Sequence, residues 1–339
     1  MRTLPIALDV MGGDRGAGEV IAGGVAAVRS DGAEVILVGR RVDIEAEIAR
    51  LGAESLQIPI VDAPDVIEMS DQPAAAVRAK PESSMVVGVG LVRSGAASGF
   101  VSTGNSGAVM TAAVLGMGRV PGVERPALAT AFPTLKGHCL LVDVGANVDC
   151  RPDMLLQFAI MGATYWEKVF DVTYPRVGLL SNGEEDSKGN VLVRETHGLL
   201  RGSHLHFVGN VEGKDLPHHP ADVIVMDGFT GNSVLKVAEG IATMMKEMIR
   251  QEAKKSIAGI VGGLLLRGTF RRVGRRVDYE EYGGAPLLGV RGVCIIAHGR
   301  SNSRAVRSAV RVARHAAEIG LTDAIRAGVQ QPSEAAVKA

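Results

Sequence analysis

The sequence predicts an α/β fold in which a mostly parallel sheet is covered by helices on both faces. Short apolar runs rich in β-branched residues alternate with longer amphipathic segments along the chain. The short runs are continuously apolar, which is typical of strands that are buried on both sides. A chain of 339 residues, of which 46% are hydrophobic, is also long enough to bury a large core.

The predicted strands are separated by helices at many points along the chain. Two clear helices at amphipathic spacing are RVDIEAEIARL (41–51) and PDMLLQFAIMGATYWEKV (152–169). Strands separated by helices in this way favour a mostly parallel order. The predicted strands are PIALDV (5–10), EVILVG (34–39), QIPIVD (57–62), GFVST (99–103), LATAF (128–132), CLLVDVG (139–145), RVGLLS (176–181), LHFVG (205–209), DVIVMDG (222–228) and GVCIIAHG (292–299).

The composition shows no break that would mark a linker, and no low-complexity tract or short-period repeat is present. We therefore predict a single α/β domain over residues 1–320, with an amphipathic helical hairpin at 233–276 inside it. Residues 321–339 are predicted to form a C-terminal tail, because the stretch from 328 onward is polar and contains a proline.

Charge and cysteine usage exclude several classes of protein. The 37 basic and 37 acidic residues give a formal net charge of zero, so a nucleic-acid partner is not indicated. The three cysteines are far apart and form no CxxC, which favours a reducing, cytoplasmic location over a disulfide scaffold or a thiolate metal site. We see no signal peptide at the N-terminus and no apolar run of the roughly 18 residues that a membrane span requires.

Polar and glycine-rich turns follow six of the predicted strands. Ligands of open α/β sheets bind outside the carboxyl ends of the strands, so these turns are expected to share one edge and form a polar cleft. Each turn taken alone is typical of an ordinary strand-to-helix connection. The six turns are DVMGGD (9–14), STGNSG (102–107), DVGANVD (143–149), SNGEEDSKGN (181–190), GNVEGKD (209–215) and DGFTGN (227–232).

The standard nucleotide cradles are absent from these turns. The third glycine of a GxGxxG pattern begun at Gly16 would fall on Ile21, and the order Ser187-Lys188-Gly189 breaks the Walker A pattern. No nucleotide cofactor is therefore predicted. Gly12 and Gly13 still precede a helix, as do the hydroxyls of the STGNSG turn, and such N-termini suit an anion of phosphate size.

Other catalytic chemistry is weakly represented. The histidines form no convincing metal set, so no metal site is predicted, and no GxSxG nucleophile elbow is present. Lys188 is the most suggestive single residue, since it lies in a glycine-flanked turn beside Glu184 and Glu185. A surface ion pair and a functional role are about equally indicated for Lys188 at this point.

Long, ordered motifs from residue 6 to about 317 make the chain resemble the bacterial phosphate acyltransferases of phospholipid synthesis. One departure is Arg15, since members of that family commonly carry histidine after GGD. The motifs are ALDVMGGD, STGNSGA, ERPALATAFPT (124–134), LLVDVGANVDCRPDMLLQFAIMGATY (140–165), RVGLLSNGEEDSKGN (176–190), FVGNVEGKD (207–215), DVIVMDGFTGNSVLK (222–236) and EYGGAPLLGVRGVCIIAHGRSN (281–302).

The resemblance implies the fold of the isocitrate and isopropylmalate dehydrogenases and the phosphotransacetylases, with the active site near a homodimer interface. It also implies a reaction: a fatty acyl group moves from the thiol of acyl carrier protein to inorganic phosphate. The resulting acyl phosphate feeds phospholipid synthesis. No cofactor is expected, because phosphate is already an anionic nucleophile and the chemistry needs mainly positioning and fixed donors.

On this reading, Lys188 is expected to bind phosphate or the developing oxyanion, and Asn232 to donate to the acyl carbonyl. We expect Asp9 and Asp14, two acids near an anion, to hold their loop through backbone N–H groups or to pair with Lys188 or Arg15. The other predicted phosphate- and substrate-binding residues lie in the same set of turns. The full set is Asp9, Gly12, Gly13, Asp14, Ser102, Thr103, Gly104, Asn105, Asn147, Asn182 and Asn210.

The predicted hairpin at 233–276 combines an apolar stripe with a basic end. Between 250 and 276, eight basic residues face one acid, Glu252. A hairpin packed in a dimer interface, with a solvated basic rim, has the stronger support. Contact with an anionic membrane or with acidic acyl carrier protein is the alternative, through Arg267, Arg271, Arg272 and Arg275. The resemblance favours peripheral membrane association.

Two other functions remain open at this point. The first is an NAD-dependent dehydrogenase of the isopropylmalate dehydrogenase type, since that fold binds NAD without GxGxxG. The absence of a clear aspartate cluster for a divalent metal argues against it. The second is a non-catalytic scaffold that tethers lipid enzymes to the membrane through residues 233–276.

Overall fold

The computed structural model describes residues 4–277 and 283–331, with the side chains of 275–277 left out. Its strands form one sheet in the order β3-β2-β1-β4-β11-β10-β5-β6-β9-β7-β8. The strands are β1 (Ile6–Asp9), β2 (Val35–Gly39), β3 (Ile60–Asp62), β4 (Gly99–Ser102), β5 (Ala127–Thr134), β6 (Gly137–Val142), β7 (Arg176–Ser181), β8 (His206–Glu212), β9 (Val223–Val225), β10 (Ala285–Leu288) and β11 (Val293–Ile296).

Helices cover both faces of this sheet, which confirms the predicted α/β class. Their bounds in the described residues are α1 (Ala17–Asp31), α2 (Arg41–Arg50), α3 (Pro73–Ala79), α4 (Ser84–Arg93), α5 (Ser106–Gly116), α6 (Pro152–Phe170), α7 (Val191–Arg201), α8 (Gly228–Ala253), α9 (Ile257–Leu265), α10 (Arg267–Val277), α11 (Ser303–Glu318) and α12 (Leu321–Val329).

Two apolar cores lie on opposite faces of the sheet. The core that contains Phe158 packs α1, α2, α6, α11 and α12 against the sheet. The core that contains Phe100 packs α3, α4, α5 and the first turns of α8 against the other face. Successive strand residues point to opposite faces, so continuously apolar strands supply side chains to both cores.

The direction of the strands reverses across the sheet. Strand β10 pairs antiparallel with both β11 and β5, and β5 pairs antiparallel with β6. Strands β1–β4 and β11 therefore run in one direction, while β6, β7, β8 and β9 run in the other. Strand β10, which was not predicted from the sequence, is one of the strands at this reversal.

The prediction that six polar turns share one edge of the sheet is wrong for this reason. Turns after strands of opposite direction leave the sheet at opposite edges. The first loop group comprises residues 9–16, 102–105 and 297–302. The second loop group comprises residues 143–149, 181–190, 209–218 and 227–232. The STGNSG and DVMGGD turns therefore lie apart from the SNGEEDSKGN turn on the sheet itself.

The C-terminal segment begins later than predicted. Residues 321–329 form α12, which packs against α6 and buries Leu321 and Ile325. The predicted tail from 321 is therefore wrong for its first part, because these residues belong to the folded unit. Residues 332–339 lie outside the described part of the chain.

The predicted hairpin at 233–276 comprises α8 from its second turn onward, together with α9 and α10. Its large apolar side chains are exposed, with Leu265 at 81% and Val237 at 61%. Arg267, Arg271 and Arg272 are exposed on α10, whereas the side chain of Arg275 lies outside the described residues. Within the described residues, no helix is both long and apolar enough to cross a membrane.

Candidate active site

A buried carboxylate fastens the first loop group together. Asp9 ends β1 and is 1% exposed; it accepts hydrogen bonds from the Ser102 hydroxyl at 2.7 Å and from the Met11 N–H at 3.1 Å. The Ser102 hydroxyl in turn accepts from the Gly104 N–H at 3.0 Å. Burial raises the pKa of Asp9, although these hydrogen bonds favour the ionised form. Asp9 therefore holds its loop through backbone N–H groups, the first of the two roles expected for it.

The loops of the first group touch backbone to backbone. A Cβ placed on Gly12 would lie 2.6 Å from the Gly104 nitrogen, so only glycine allows this approach. Gly13 has a φ of 94°, and the next residue, Asp14, donates its N–H to the Gly299 oxygen at 2.7 Å. The loops after β1, β4 and β11 thus form one rigid unit.

Thr103 is the exception in this closely bonded group. It is fully buried, and its Oγ1 finds no hydrogen-bond partner among the described residues. A Cβ on Gly13 would lie 2.8 Å from this oxygen, so the hydroxyl faces the glycine turn. The N-terminus of α5 begins three residues later, at Ser106. This arrangement offers a hydroxyl and helix-terminal N–H groups to an anion.

The side chain of Asn105 is engaged within the protein. Its Oδ1 accepts from the Ala108 N–H and so caps α5. Its Nδ2 donates to the carbonyl oxygens of Met69 and Asp71, at 3.0 and 3.2 Å. Asn105 therefore fixes the loop. Both N–H groups of its amide are used in these bonds, so neither is free for the predicted contact with substrate.

In the second loop group, Asp143 organises the turn after β6. Its carboxylate accepts from the N–H groups of Gly145, Ala146 and Asn147 at 2.8 to 3.1 Å. Burial raises the pKa of Asp143, and the hydrogen bonds oppose that shift. The Nδ2 of Asn147 donates to Asp143 and to the Pro126 oxygen, both at 2.8 Å. Asn147 is therefore a structural residue of this turn, and its amide nitrogen is not available to phosphate.

The long turn after β7 is anchored by hydrogen bonds and carries Lys188 at the surface. Asn182 accepts from the Gly189 N–H at 2.9 Å, and Asn210 donates from Nδ2 to the Glu185 oxygen at 2.8 Å. Asp186 forms an ion pair with Arg201 at 2.5 Å. The side chain of Lys188 is exposed, and its ammonium makes no hydrogen bond or ion pair with any described residue. An anchored turn with an unpaired cation is suited to binding an anionic substrate.

Helix α8 connects the two loop groups. It begins at Gly228, capped by Asp227, and Asn232 lies beside Gly145, with its Cβ 3.7 Å from the Cβ position of that glycine. Lys236 follows one turn later on the same face. Burial lowers the pKa of His298, and the nearby charges of Lys236 and Arg300 lower it further. The helix rises about 12 Å from Gly228 to Lys236, so it extends from the second loop group toward the first.

Lys236 and His298 lie near predicted site residues but were not themselves predicted. Both occur in motifs that carried the resemblance, DVIVMDGFTGNSVLK and GVCIIAHGRSN. The spacing of four residues between Asn232 and Lys236 was the available signal, because residues at that spacing share a helix face.

A cavity of about 400 Å³ opens in the second loop group, between the ends of β7 and β9 and the first turns of α6, α7 and α8. Gly189, which follows Lys188 in the chain, lines this cavity. Asp227, the residue that caps α8, lines it as well. A volume of this size is within the range of small-molecule sites.

Neither metal nor thiolate chemistry is indicated by the described residues. Among them, no group of three His, Cys, Asp or Glu side chains could hold a metal ion. Burial raises the pKa of Cys139, Cys150 and Cys294 to about 12, so these thiols stay protonated near neutral pH.

Residues 4–323 match the family model described as "Fatty acid synthesis protein". A protein of Heliobacterium modesticaldum named phosphate acyltransferase is 49% identical over 323 residues, which cover 95% of this chain and 96% of that protein. A phosphate acyltransferase of Elusimicrobium minutum is 47% identical over 330 residues, covering 97% of each chain.

Solved structures share the fold at low identity. A phosphotransacetylase from Streptococcus pyogenes has a TM-score of 0.63 at 18% identity, covering 93% of this chain and 94% of the other. A 4-hydroxythreonine-4-phosphate dehydrogenase from Klebsiella pneumoniae has a TM-score of 0.53 at 15% identity, covering 93% of this chain and 100% of the other. These matches confirm the predicted fold class and carry no argument about the reaction.

Proposed function

The chain belongs to the phosphate acyltransferase family, and from that premise we propose that it transfers a fatty acyl group from acyl carrier protein to inorganic phosphate. Membership of this family favours acyl transfer over the dehydrogenase and scaffold alternatives. The observation that carries the residue assignment is the unpaired, exposed ammonium of Lys188 on an anchored turn.

The arrangement fits the electrostatic demand of this reaction. Phosphate attacks the thioester carbonyl while negative charge grows on the carbonyl oxygen, so two negative groups must approach each other. Lys188 supplies a positive charge to the phosphate or to that oxygen, and Asn232 supplies an amide donor to the acyl carbonyl. The leaving thiol has a pKa near ~8.5 and needs little acid assistance.

The first loop group supports the phosphate. Thr103 brings an unpartnered hydroxyl, and the backbone at Gly12 and Gly13 and the N-terminus of α5 add dipoles that favour negative charge. Lys236 lies on the α8 face between this group and Asn232. In this arrangement phosphate lies between the two loop groups, with its nucleophilic oxygen toward Asn232.

The test is release of free thiol from acyl carrier protein by the purified protein, with phosphate omitted as the control. The proposal predicts release that requires phosphate and saturates with its concentration. Release at the same rate without phosphate would identify hydrolysis instead, and absence of release with every acyl donor would reject the proposed reaction.

We assign the exposed apolar surface of α8 to a homodimer interface. Monomeric proteins rarely expose a continuous apolar surface, and here it extends along one stripe of the helix. Its exposed members are Val237, Ile241, Met244 and Met248. Light scattering after size exclusion tests this assignment with Ile241→Glu and Met248→Glu, which are expected to yield a monomer; a dimer that survives both changes would contradict it.

The apolar tip on α9 and the arginines of α10 are assigned to peripheral contact with the inner face of an anionic membrane. Leu264 and Leu265 are exposed beside Arg267 and Arg271. Apolar insertion and attraction to anionic lipid reinforce each other in such a segment. Flotation with anionic vesicles at physiological salt is expected, and absence of binding would remove this assignment. In that case docking of acidic acyl carrier protein on the same arginines becomes the alternative to test.

A further inference from the structure

The cavity in the second loop group has an apolar floor and a polar mouth. Leu155, Leu179 and Met226 line it and are at most 2% exposed, so they form its deep part. Asn182 and Asn190 also line it and are exposed, so they mark the opening. The cavity therefore runs from a polar surface toward buried side chains of both apolar cores.

The proposed reacting centre lies at the polar end. Gly189 lines the cavity and follows Lys188 directly, so the turn that presents the ammonium also forms the rim. Ser181 lies there too, and its buried hydroxyl has no partner among the described residues. A thioester bound at this rim would have polar contacts at its carbonyl and an apolar space on one side.

The size of the acyl donor decides which part of that substrate can enter the cavity. Acyl carrier protein is a macromolecule and stays outside, so the thiol arm must reach the rim from solvent. The part of the substrate beyond the carbonyl is the alkyl chain, and an apolar floor stabilises alkyl groups that leave water. From this geometry we infer that the cavity binds the alkyl chain of the acyl donor, and that Val193 sets the preferred chain length.

This inference rests on the proposed function and deepens it. A volume of about 400 Å³ corresponds to roughly a dozen groups of the size of water, which matches a medium or long alkyl chain in scale. Val193 is a suitable gate, because it is half-buried on the first turn of α7 and lines the cavity beside Gly189. A larger side chain on this wall removes volume that the alkyl chain can fill, and a smaller one adds volume.

Direct binding of alkylphosphonates, from hexyl- to tetradecylphosphonate, tests the inference without requiring turnover. Affinity is expected to rise about fourfold for each methylene that enters the cavity and then to level off. Val193→Phe is expected to move the levelling point to shorter chains, and Val193→Ala to longer ones. Val191→Phe is the matched control, because Val191 lies two residues away on the same helix but is 60% exposed and does not line the cavity.

The same variants are then assayed for thiol release with acyl donors of increasing length. Opposite shifts for the two Val193 variants, with an unchanged profile for Val191→Phe, support the inference. A chain-length profile that is the same in all variants would overturn it while leaving the proposed reaction intact. Chain-length-dependent phosphonate binding without any thiol release would reject the reaction and keep the alkyl site. The opposite directions expected of Phe and Ala separate these results from a loss of folding.

Discussion

The two loop groups differ in how they use their polar side chains. In the first group, Asp9, Ser102 and Asn105 are bonded to the protein itself, and the loops meet through glycine backbone. In the second group, Asn182 and Asn210 anchor a long turn by hydrogen bonds, and the Lys188 ammonium makes no hydrogen bond or ion pair with a described residue. One group is a rigid frame, and the other presents an unpaired charge.

We therefore expect changes in the first loop group to affect stability and changes at Lys188 in the second to affect catalysis. Changes in the frame remove hydrogen bonds between buried groups and are expected to lower the free energy of unfolding. Removal of the Lys188 ammonium at the exposed tip breaks no hydrogen bond or ion pair with a described residue and is expected to leave that free energy unchanged. Measuring both quantities for the same variants therefore tests the assignment of roles.

The largest effect on catalysis is expected for Lys188→Ala. Loss of a cation that stabilises developing negative charge lowers kcat/KM by about 10²- to 10³-fold in comparable sites. Because Lys188 is unpaired, the melting temperature is expected to stay within error of the wild type. Lys168→Ala, at an exposed position at the end of α6, is the surface control. Near-normal kcat/KM in Lys188→Ala would remove this residue from the mechanism.

The next effect is expected for Gly12→Ala in the frame. The new Cβ would meet the Gly104 backbone at 2.6 to 2.7 Å. Neither loop can move without breaking a hydrogen bond, from Met11 to Asp9 in one loop and from Gly104 to Ser102 in the other. We expect a loss of about 3 kcal/mol in the free energy of unfolding, measured by denaturant titration. Gly213→Ala in the second group is the matched control, because nothing lies within 4 Å of its added Cβ. Equal stability of the two variants would contradict the rigid frame.

The smallest expected effect is a difference in stability between alanine variants of two serines at strand ends. Ser102 donates to Asp9 and accepts from Gly104, so Ser102→Ala leaves a buried donor and a buried acceptor unpaired, at a cost of about 1 to 3 kcal/mol. The Ser181 hydroxyl is buried without a partner among the described residues, so Ser181→Ala is expected to be neutral or slightly stabilising. Thermal unfolding of both variants distinguishes the two groups, and a larger loss for Ser181→Ala would reverse the comparison.

The strands and helices could be predicted where the pattern is local. Strand β7 was predicted at its observed bounds, and α6 was predicted to within one residue, because continuous apolar runs and amphipathic spacing mark both. Strand β10 was missed because it is short, follows two glycines and contains Pro286, which argues against a central strand. The reversal of strand direction could not be read from the sequence, since it depends on pairing between distant segments.

The candidate site could be predicted in part for a related reason. A glycine-rich turn after an apolar strand marks the site region, and Lys188 was found on that signal. Asn105 and Asn147 carry the same signal, yet their amides bond to the protein backbone. A short polar side chain after a strand looks the same in sequence whether it caps a helix or binds a ligand. Only the contacts made across the fold distinguish the two roles.

The central claim is that phosphate is the acyl acceptor, and phosphorus NMR of the reaction tests it most directly. The purified protein is mixed with long-chain acyl carrier protein and inorganic phosphate, and spectra are recorded while free thiol is measured in the same sample. We expect a new acyl phosphate resonance that grows in step with the thiol and is lost in Lys188→Ala. Thiol release without an acyl phosphate resonance would contradict the account.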